Sequence, residues 1–132
     1  MKAKNFLVLG GIGAGSAVIL GAFAAHALKK AIPIEMVEVF TTGVHYQLFH
    51  SVALILCGLL VHQEAISDTQ KYFVRAAICF IIGIFCFSGS LYGLALTDSK
   101  WLGPVTPIGG TLFVVGWGMF VFASLKINEV KQ

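Results

Sequence analysis

The chain has 132 residues, of which 58% are hydrophobic and only 11% are charged, and its formal net charge is +3. This length allows one domain, and the composition excludes an ordinary soluble domain, in which charged residues are far more frequent. The excess of Lys and Arg is explained by membrane topology, so it does not indicate nucleic-acid binding.

Four apolar segments are long enough to cross a membrane, which requires about 20 helical residues. None of them has the charged face of a soluble amphipathic helix, so a soluble helical bundle is rejected. We therefore expect an all-α integral membrane protein with one membrane domain over residues 1–132, an antiparallel bundle of four transmembrane helices joined by short loops. The predicted helices cover residues 6–28, 43–61, 73–97 and 102–125.

The first segment also has the features of a signal peptide: basic residues, an apolar core and the small-residue sequence AFA at 22–24. Its apolar stretch is nevertheless long enough to span the membrane, so we interpret it as the first transmembrane helix. Its glycine-rich sequence at 10–15 is not a dinucleotide-binding loop, because no strand precedes it and no acidic residue follows before Glu35.

The connection to the second segment contains Lys29 and Lys30, which suit a helix C-terminus, and Pro33, which suits the first turn of a new helix. Residues 33–41 are interpreted either as a short interfacial helix with its apolar side chains toward the membrane or as an ordered loop.

Small residues recur at steps of three and four along each segment, which places them on one helix face. In lipid, small side chains allow helix backbones to approach closely and to hydrogen-bond across the interface. We expect these small-residue seams to face one another, with the large side chains toward lipid. The clearest seams are Gly10, Ala14, Ala17, Gly21 and Ala24 on the first segment, Ala76, Cys79, Gly83, Cys86, Ser90, Gly93 and Thr97 on the third, and Gly109, Gly116 and Ala123 on the fourth.

Polar residues lie on the seam face of the second segment. Helical spacing places Gln47 and His50 on this face and Tyr46 at its edge. Counted from the ends of their predicted spans, His50 and Ser90 lie at one depth, roughly 10 Å from the same membrane surface. We therefore expect them to share a polar layer.

Two further segments approach this layer. Thr106 is predicted to cap the fourth helix, with Pro107 as its first residue, and His26 lies near the same end of the first helix but off its seam. Polar groups inside a membrane often mark functional places, yet interhelical hydrogen bonds alone explain such residues equally well. The predicted binding residues are Gln47, His50, Ser90, Tyr46, Thr106, Pro107 and His26.

The distribution of Lys and Arg predicts the orientation, because cytoplasmic loops carry the excess of these residues. The side that contains both termini has six of them and the opposite side has three. We therefore expect a multi-pass protein of the cell inner membrane with both termini in the cytoplasm. The six are Lys2, Lys4, Lys71, Arg75, Lys126 and Lys131, and the three are Lys29, Lys30 and Lys100.

Four motifs cover nearly the whole chain in order: GAFAAHALKK, TTGVHYQLFHSVAL, FSGSLYGLALT and LGPVTPIGGTLFVVGWG. They resemble the signature segments of the YgdD/YwdK-like family of small bacterial inner-membrane proteins, which has mitochondrial relatives. Ala24 departs from the family, where glycine is typical. The resemblance implies a multi-pass membrane protein and supplies no catalytic residues. The motif positions that it marks are His26, Tyr46, Gln47, His50, Ser88, Gly89, Ser90, Thr106, Pro107 and 109–110.

Several classes of function are compatible with these residues. The favoured one is a non-enzymatic binding or accessory protein, whose pocket near the extracytoplasmic side receives a lipid headgroup, a quinone-like molecule or a segment of another membrane protein. The alternative is a small-solute or proton transporter or channel with His50 as the titrating group, which would require a homo-oligomer because one bundle has no continuous polar path.

Cofactor and hydrolase chemistry are less favoured. A haem or metal site would combine His50 with His26 or His45, but His45 points away from His50 on the helix. The sequence SGSLYG is not a nucleophile elbow, and the spans contain no carboxylate. We therefore expect no enzyme activity, no cofactor and no metal.

Overall fold

The computed structural model describes residues 2–63 and 68–127, so Lys131 of the topology prediction lies outside the described residues. Within these ranges the chain is almost entirely helical, and four helices are long and apolar enough to cross a membrane. The predicted all-α membrane fold is confirmed. The helices are α1 (Ala3–His26), α2 (Ile34–Gln63), α3 (Asp68–Thr97) and α4 (Val105–Leu125), with short 3-10 turns at Leu28–Lys30 and Lys100–Leu102.

The second helix is longer than the sequence suggested. Residues 33–41 form neither a separate interfacial helix nor a loop, because α2 runs without interruption from Ile34. The carbonyl of Pro33 accepts hydrogen bonds from the amides of Met36 and Val37 at 3.0 and 3.1 Å, which starts the first turn. No proline follows within α2 to break this ladder.

The helices pack in the order of the sequence: α1 against α2, α2 against α3, and α3 against α4. Within the described ranges, α1 and α4 share no comparable packing, so the bundle is an open series of antiparallel neighbours and not a closed ring. Both outer helices are consequently less buried than α2.

Seam glycines lie at the helix contacts, but the expectation that the seams face one another is wrong at Gly10 and Gly109, because each lies against residues outside the seam of the neighbouring helix. A Cβ on Gly10 of α1 would meet the backbone oxygen of Ser51 on α2 at 2.8 Å. A Cβ on Gly109 of α4 would overlap the backbone of Phe87 on α3. Each glycine therefore brings two helix backbones closer than any side chain would allow.

The expectation that large side chains mostly face lipid is wrong for the α3–α4 contact. The Phe113 ring of α4 lies over Gly83 of α3, and the Phe80 ring of α3 lies over Gly116 of α4. Both phenylalanines are at most 3% exposed. Each glycine leaves a hole that a ring from the opposite helix fills, so this reciprocal packing buries aromatic surface between the two helices.

Candidate functional site

A cleft of about 370 Å³ lies between α1 and α3, with α2 as its floor. Its walls are mainly aliphatic and aromatic, and its polar side chains come from all three helices. On α1 its residues surround the middle of the helix, so the cleft is deeper than the extracytoplasmic position expected from the sequence. We call it the α1–α3 cleft; it is lined by Leu9, Ile12, Gly13, Ser16, Gln47, Ser51, Leu54, Ile81, Ile84, Phe85, Ser88, Gly89 and Tyr92.

Gln47 connects the three helices at the floor of the α1–α3 cleft. Its Nε2 donates to the carbonyl oxygen of Gly13 at 2.9 Å and to the Ser16 hydroxyl at 2.8 Å, both on α1. Its Oε1 accepts a hydrogen bond from the hydroxyl of Tyr92 on α3 at 2.7 Å. The amide orientation is fixed, because the Gly13 carbonyl can only accept.

Two serines complete this polar floor. The Ser88 hydroxyl donates to the carbonyl oxygen of Gly43 at 2.6 Å and ties α3 to α2. The Ser51 hydroxyl is fully buried and has no hydrogen-bond partner among the described residues. A Cβ on Gly13 would overlap this hydroxyl, so the hydroxyl lies against the α1 backbone at a place that only glycine leaves open.

His50 lies in a different region, where α2 meets α4. Its ring stacks on Phe113, with centroids 3.6 Å apart, and lies beside Trp117. Nδ1 lies 2.8 Å from the carbonyl oxygen of Tyr46, and Nε2 accepts a hydrogen bond from the Trp117 indole at 3.1 Å. A carbonyl only accepts, so Nδ1 carries the proton and the imidazole is neutral in this arrangement.

The predicted shared layer of His50 and Ser90 is wrong. The bond from Ser88 to the carbonyl of Gly43 sets the register of α3 against α2, and it places Ser90 beside the turn of α2 around Gly43. His50 lies seven residues farther along α2, about 10 Å along the axis.

The remaining predicted residues lie toward the helix ends. The hydroxyls of Ser90 and Thr106 are 2.6 Å apart and join α3 to α4. Thr106 is not the cap of α4, because the helix begins at Val105 and its N-cap residue, Pro104, makes no side-chain capping bond. Pro107 is exposed in the first turn of α4, where backbone amides have no carbonyl partner within the helix, so a proline there costs no hydrogen bond. His26 is exposed at the end of α1.

The sequence prediction therefore joined residues that the structure separates. Gln47 is in the α1–α3 cleft, His50 and Tyr46 are in the aromatic cluster with Phe113 and Trp117, and Ser90 and Thr106 join α3 to α4. Reasoning from seams missed Ser16, Ser51 and Trp117. A buried Gln needs several hydrogen-bond partners, and that requirement was the available signal for Ser16.

Metal-ligating side chains do not converge in the described part of the chain. No group of three or more His, Cys, Asp or Glu residues there has the geometry to hold a metal ion. His50 uses both ring nitrogens for protein hydrogen bonds, so neither nitrogen is available as an axial haem ligand in this conformation.

Four apolar helices joined by interhelical hydrogen bonds define a small multi-pass membrane protein. The relatives of the chain are also named membrane proteins. The chain belongs to the family described as Protein of unknown function (DUF423), whose model matches residues 20–110. The resemblance drawn from the four sequence motifs is thereby confirmed.

Three relatives illustrate the match. The chain is 43% identical over 124 residues to the UPF0382 membrane protein SAB0533 of Staphylococcus aureus (strain bovine RF122 / ET3-1), covering 93% of this chain and 97% of the relative. It is 40% identical over 123 residues to the UPF0382 membrane protein YwdK of Bacillus subtilis (strain 168), covering 93% and 98%. It is 39% identical over 131 residues to a UPF0382 membrane protein of Haemophilus influenzae, covering 98% and 100%. No solved structure matches the chain.

Proposed function

We propose that this protein is a non-enzymatic binding protein of the cell inner membrane, and that it holds a lipophilic molecule in the α1–α3 cleft. The observation that carries the proposal is the combination of an apolar cleft with a small polar floor. Binding sites for small molecules typically have volumes of about 300–1,000 Å³, apolar walls and a few polar groups that orient the ligand. The cleft of about 370 Å³ has each of these features.

The surroundings of the cleft support access from the bilayer. Ile12 on α1 is 63% exposed and Phe85 on α3 is 76% exposed, and both line the cleft. Gly89 is exposed beside them, and a Cβ there would meet nothing within 4 Å. In a membrane these surfaces face acyl chains, so a hydrophobic molecule enters sideways without crossing water.

The proposed orientation places both termini in the cytoplasm. It is supported by the excess of Lys and Arg on the side of the termini. Proton transport through His50 receives no support from the geometry, because protonation of Nε2 would remove the acceptor of the Trp117 indole.

Blocking the cleft tests the proposal. The wild type, Gly89→Phe and the control Gly118→Phe are expressed, purified in mild detergent and stripped of loosely bound lipid. Retained molecules are then extracted and measured by mass spectrometry. Gly118 is an exposed glycine of α4 outside the cleft, and a Cβ there also meets nothing within 4 Å.

We expect the wild type and Gly118→Phe to retain the same lipophilic compound and Gly89→Phe to lose it, because the phenyl ring occupies the cleft. Equal retention by all three proteins, or retention by none, would contradict the proposal. Circular dichroism melting of each variant shows whether the comparison is made between folded proteins.

A further inference from the structure

Ser51 differs from the other buried serines and threonines of the described spans. Helical serines and threonines in lipid normally donate to a carbonyl of their own helix. Ser16 does so to Gly13 at 3.1 Å, Thr111 to Pro107 at 2.8 Å and Ser124 to Phe120 at 2.8 Å. The Ser51 hydroxyl makes no such bond and is 0% exposed, so its proton has no acceptor in the described structure.

A buried polar group without a partner is unfavourable, and such groups are rare in folded proteins. A bound acceptor would remove the penalty. Ser51 lies on the turn of α2 that follows Gln47 and lines the α1–α3 cleft, so an acceptor bound at the cleft floor is the group best placed to reach it.

The donors of the cleft identify the kind of group that is missing. Both Nε2 protons of Gln47 are used, and the hydroxyl protons of Ser16, Ser88 and Tyr92 are donated to protein acceptors. Of the side-chain donors in the lining, only the Ser51 hydroxyl is uncommitted. The floor therefore has one donor to offer, and its partner must be an acceptor such as a carbonyl oxygen.

The lining also constrains the charge of the ligand. None of the residues that line the cleft is ionisable at neutral pH, and no cation is present there to pair with a phosphate. An unpaired charge inside a membrane protein is strongly unfavourable, which disfavours an anionic phospholipid headgroup.

We infer that the α1–α3 cleft binds a neutral lipid through a carbonyl oxygen, with the Ser51 hydroxyl as the donor; this inference rests on the proposed function. A quinone with a hydrophobic tail and a diacylglycerol both supply this chemistry. Because the Ser51 hydroxyl is covered by α1 at Gly13, the inferred hydrogen bond requires α1 to move away from α2 at this point.

The test measures equilibrium binding to the purified full chain in detergent with three probes: decylubiquinone, dioleoylglycerol and dioleoylphosphatidylglycerol. The proteins are the wild type, Ser51→Ala, Gly89→Phe and the control Ser124→Ala, which removes an exposed hydroxyl outside the cleft. Ser51→Ala removes an unpartnered group and no hydrogen bond, so we expect it to fold with an unchanged or higher melting temperature.

We expect one of the two neutral probes to bind the wild type and Ser124→Ala with equal affinity. The same probe should bind Ser51→Ala about tenfold more weakly, because one hydrogen bond is lost. Gly89→Phe should not bind it. The neutral probe that binds identifies the source of the carbonyl.

Other outcomes separate the inference from the proposed function. If only dioleoylphosphatidylglycerol binds, and Gly89→Phe excludes it, the cleft is a binding site and the neutral-carbonyl inference is wrong. If a neutral probe binds Ser51→Ala as tightly as the wild type, the role of Ser51 is wrong. The proposed function fails as well if Gly89→Phe blocks the binding of none of the probes and the purified wild type retains no lipophilic compound.

Discussion

Between α3 and α4, Gly83, Gly109 and Gly116 are each covered by a phenylalanine ring or by backbone of the opposite helix, whereas between α1 and α3 the exposed Gly89 faces open space. The first region buries Phe80 and Phe113 almost completely. The second leaves a cleft of about 370 Å³ with an unpartnered serine at its floor. Glycine thus permits close packing where another helix lies against it. It leaves an open space between α1 and α3, because these two helices are separated by α2.

The largest effect is expected from adding one methyl group to the packed region. Gly109→Ala would place a Cβ in contact with the backbone of Phe87, which cannot rotate away. We expect a loss of about 1–3 kcal/mol in the free energy of unfolding, as for overpacked cores. Thermal and denaturant unfolding in detergent measure this loss. Gly118→Ala is the matched control on the same helix, because a Cβ there meets nothing within 4 Å. An equal loss in that variant would show that the contact with Phe87 is not responsible.

The next largest effect concerns the polar floor of the cleft. Gln47→Leu removes two hydrogen bonds to α1 and one to Tyr92, and it leaves the tyrosine hydroxyl without its acceptor. We expect a loss of about 1–3 kcal/mol, measured as above. Crosslinking yield between cysteines introduced on the facing surfaces of α1 and α2 should fall in the variant. An unchanged yield and an unchanged unfolding curve would mean that Gln47 does not join the two helices.

A smaller effect is expected in the aromatic cluster. Trp117→Phe keeps an aromatic ring beside His50 but removes the indole proton that His50 Nε2 accepts. We expect a loss of about 1 kcal/mol, the usual contribution of one hydrogen bond. Trp101→Phe is the control, because Trp101 is 72% exposed. The two variants should differ in unfolding free energy, and identical values would argue against the hydrogen bond.

The smallest effect is expected where the comparison began, at the open glycine. Gly89→Ala adds a methyl group that meets nothing within 4 Å, and alanine favours a helix over glycine by up to about 1 kcal/mol. We therefore expect unchanged or slightly increased stability, opposite in sign to Gly109→Ala. Equal destabilisation by the two substitutions would mean that the α1–α3 cleft is filled in the folded protein.

Helical periodicity predicted the membrane fold, the small-residue seams and the inward direction of Gln47 and His50. It did not predict the division of the polar layer, because spacing gives the direction of a side chain around its own helix and not the neighbour that it meets. Gln47 and His50 are three residues apart on α2, yet one bonds to α1 and α3 and the other to Trp117 of α4. That distinction depends on which helices lie beside each side of α2, which no local pattern records.

The same limit explains the errors in depth. The predicted start of α2 at residue 43 followed the apolar run, but the helix continues through the more polar residues before it because their backbone hydrogen bonds are local. The relative depth of His50 and Ser90 then followed from the wrong helix end, whereas the register is set by the bond between Ser88 and Gly43.

Serial packing has a consequence for biogenesis. Among the residues that the structure describes, every extensive contact between long helices joins a helix to the one synthesised just before it. Each segment released into the bilayer therefore finds its main docking surface already in place. Such assembly depends on hairpins formed in the order of translation, which keeps the search for native neighbours short.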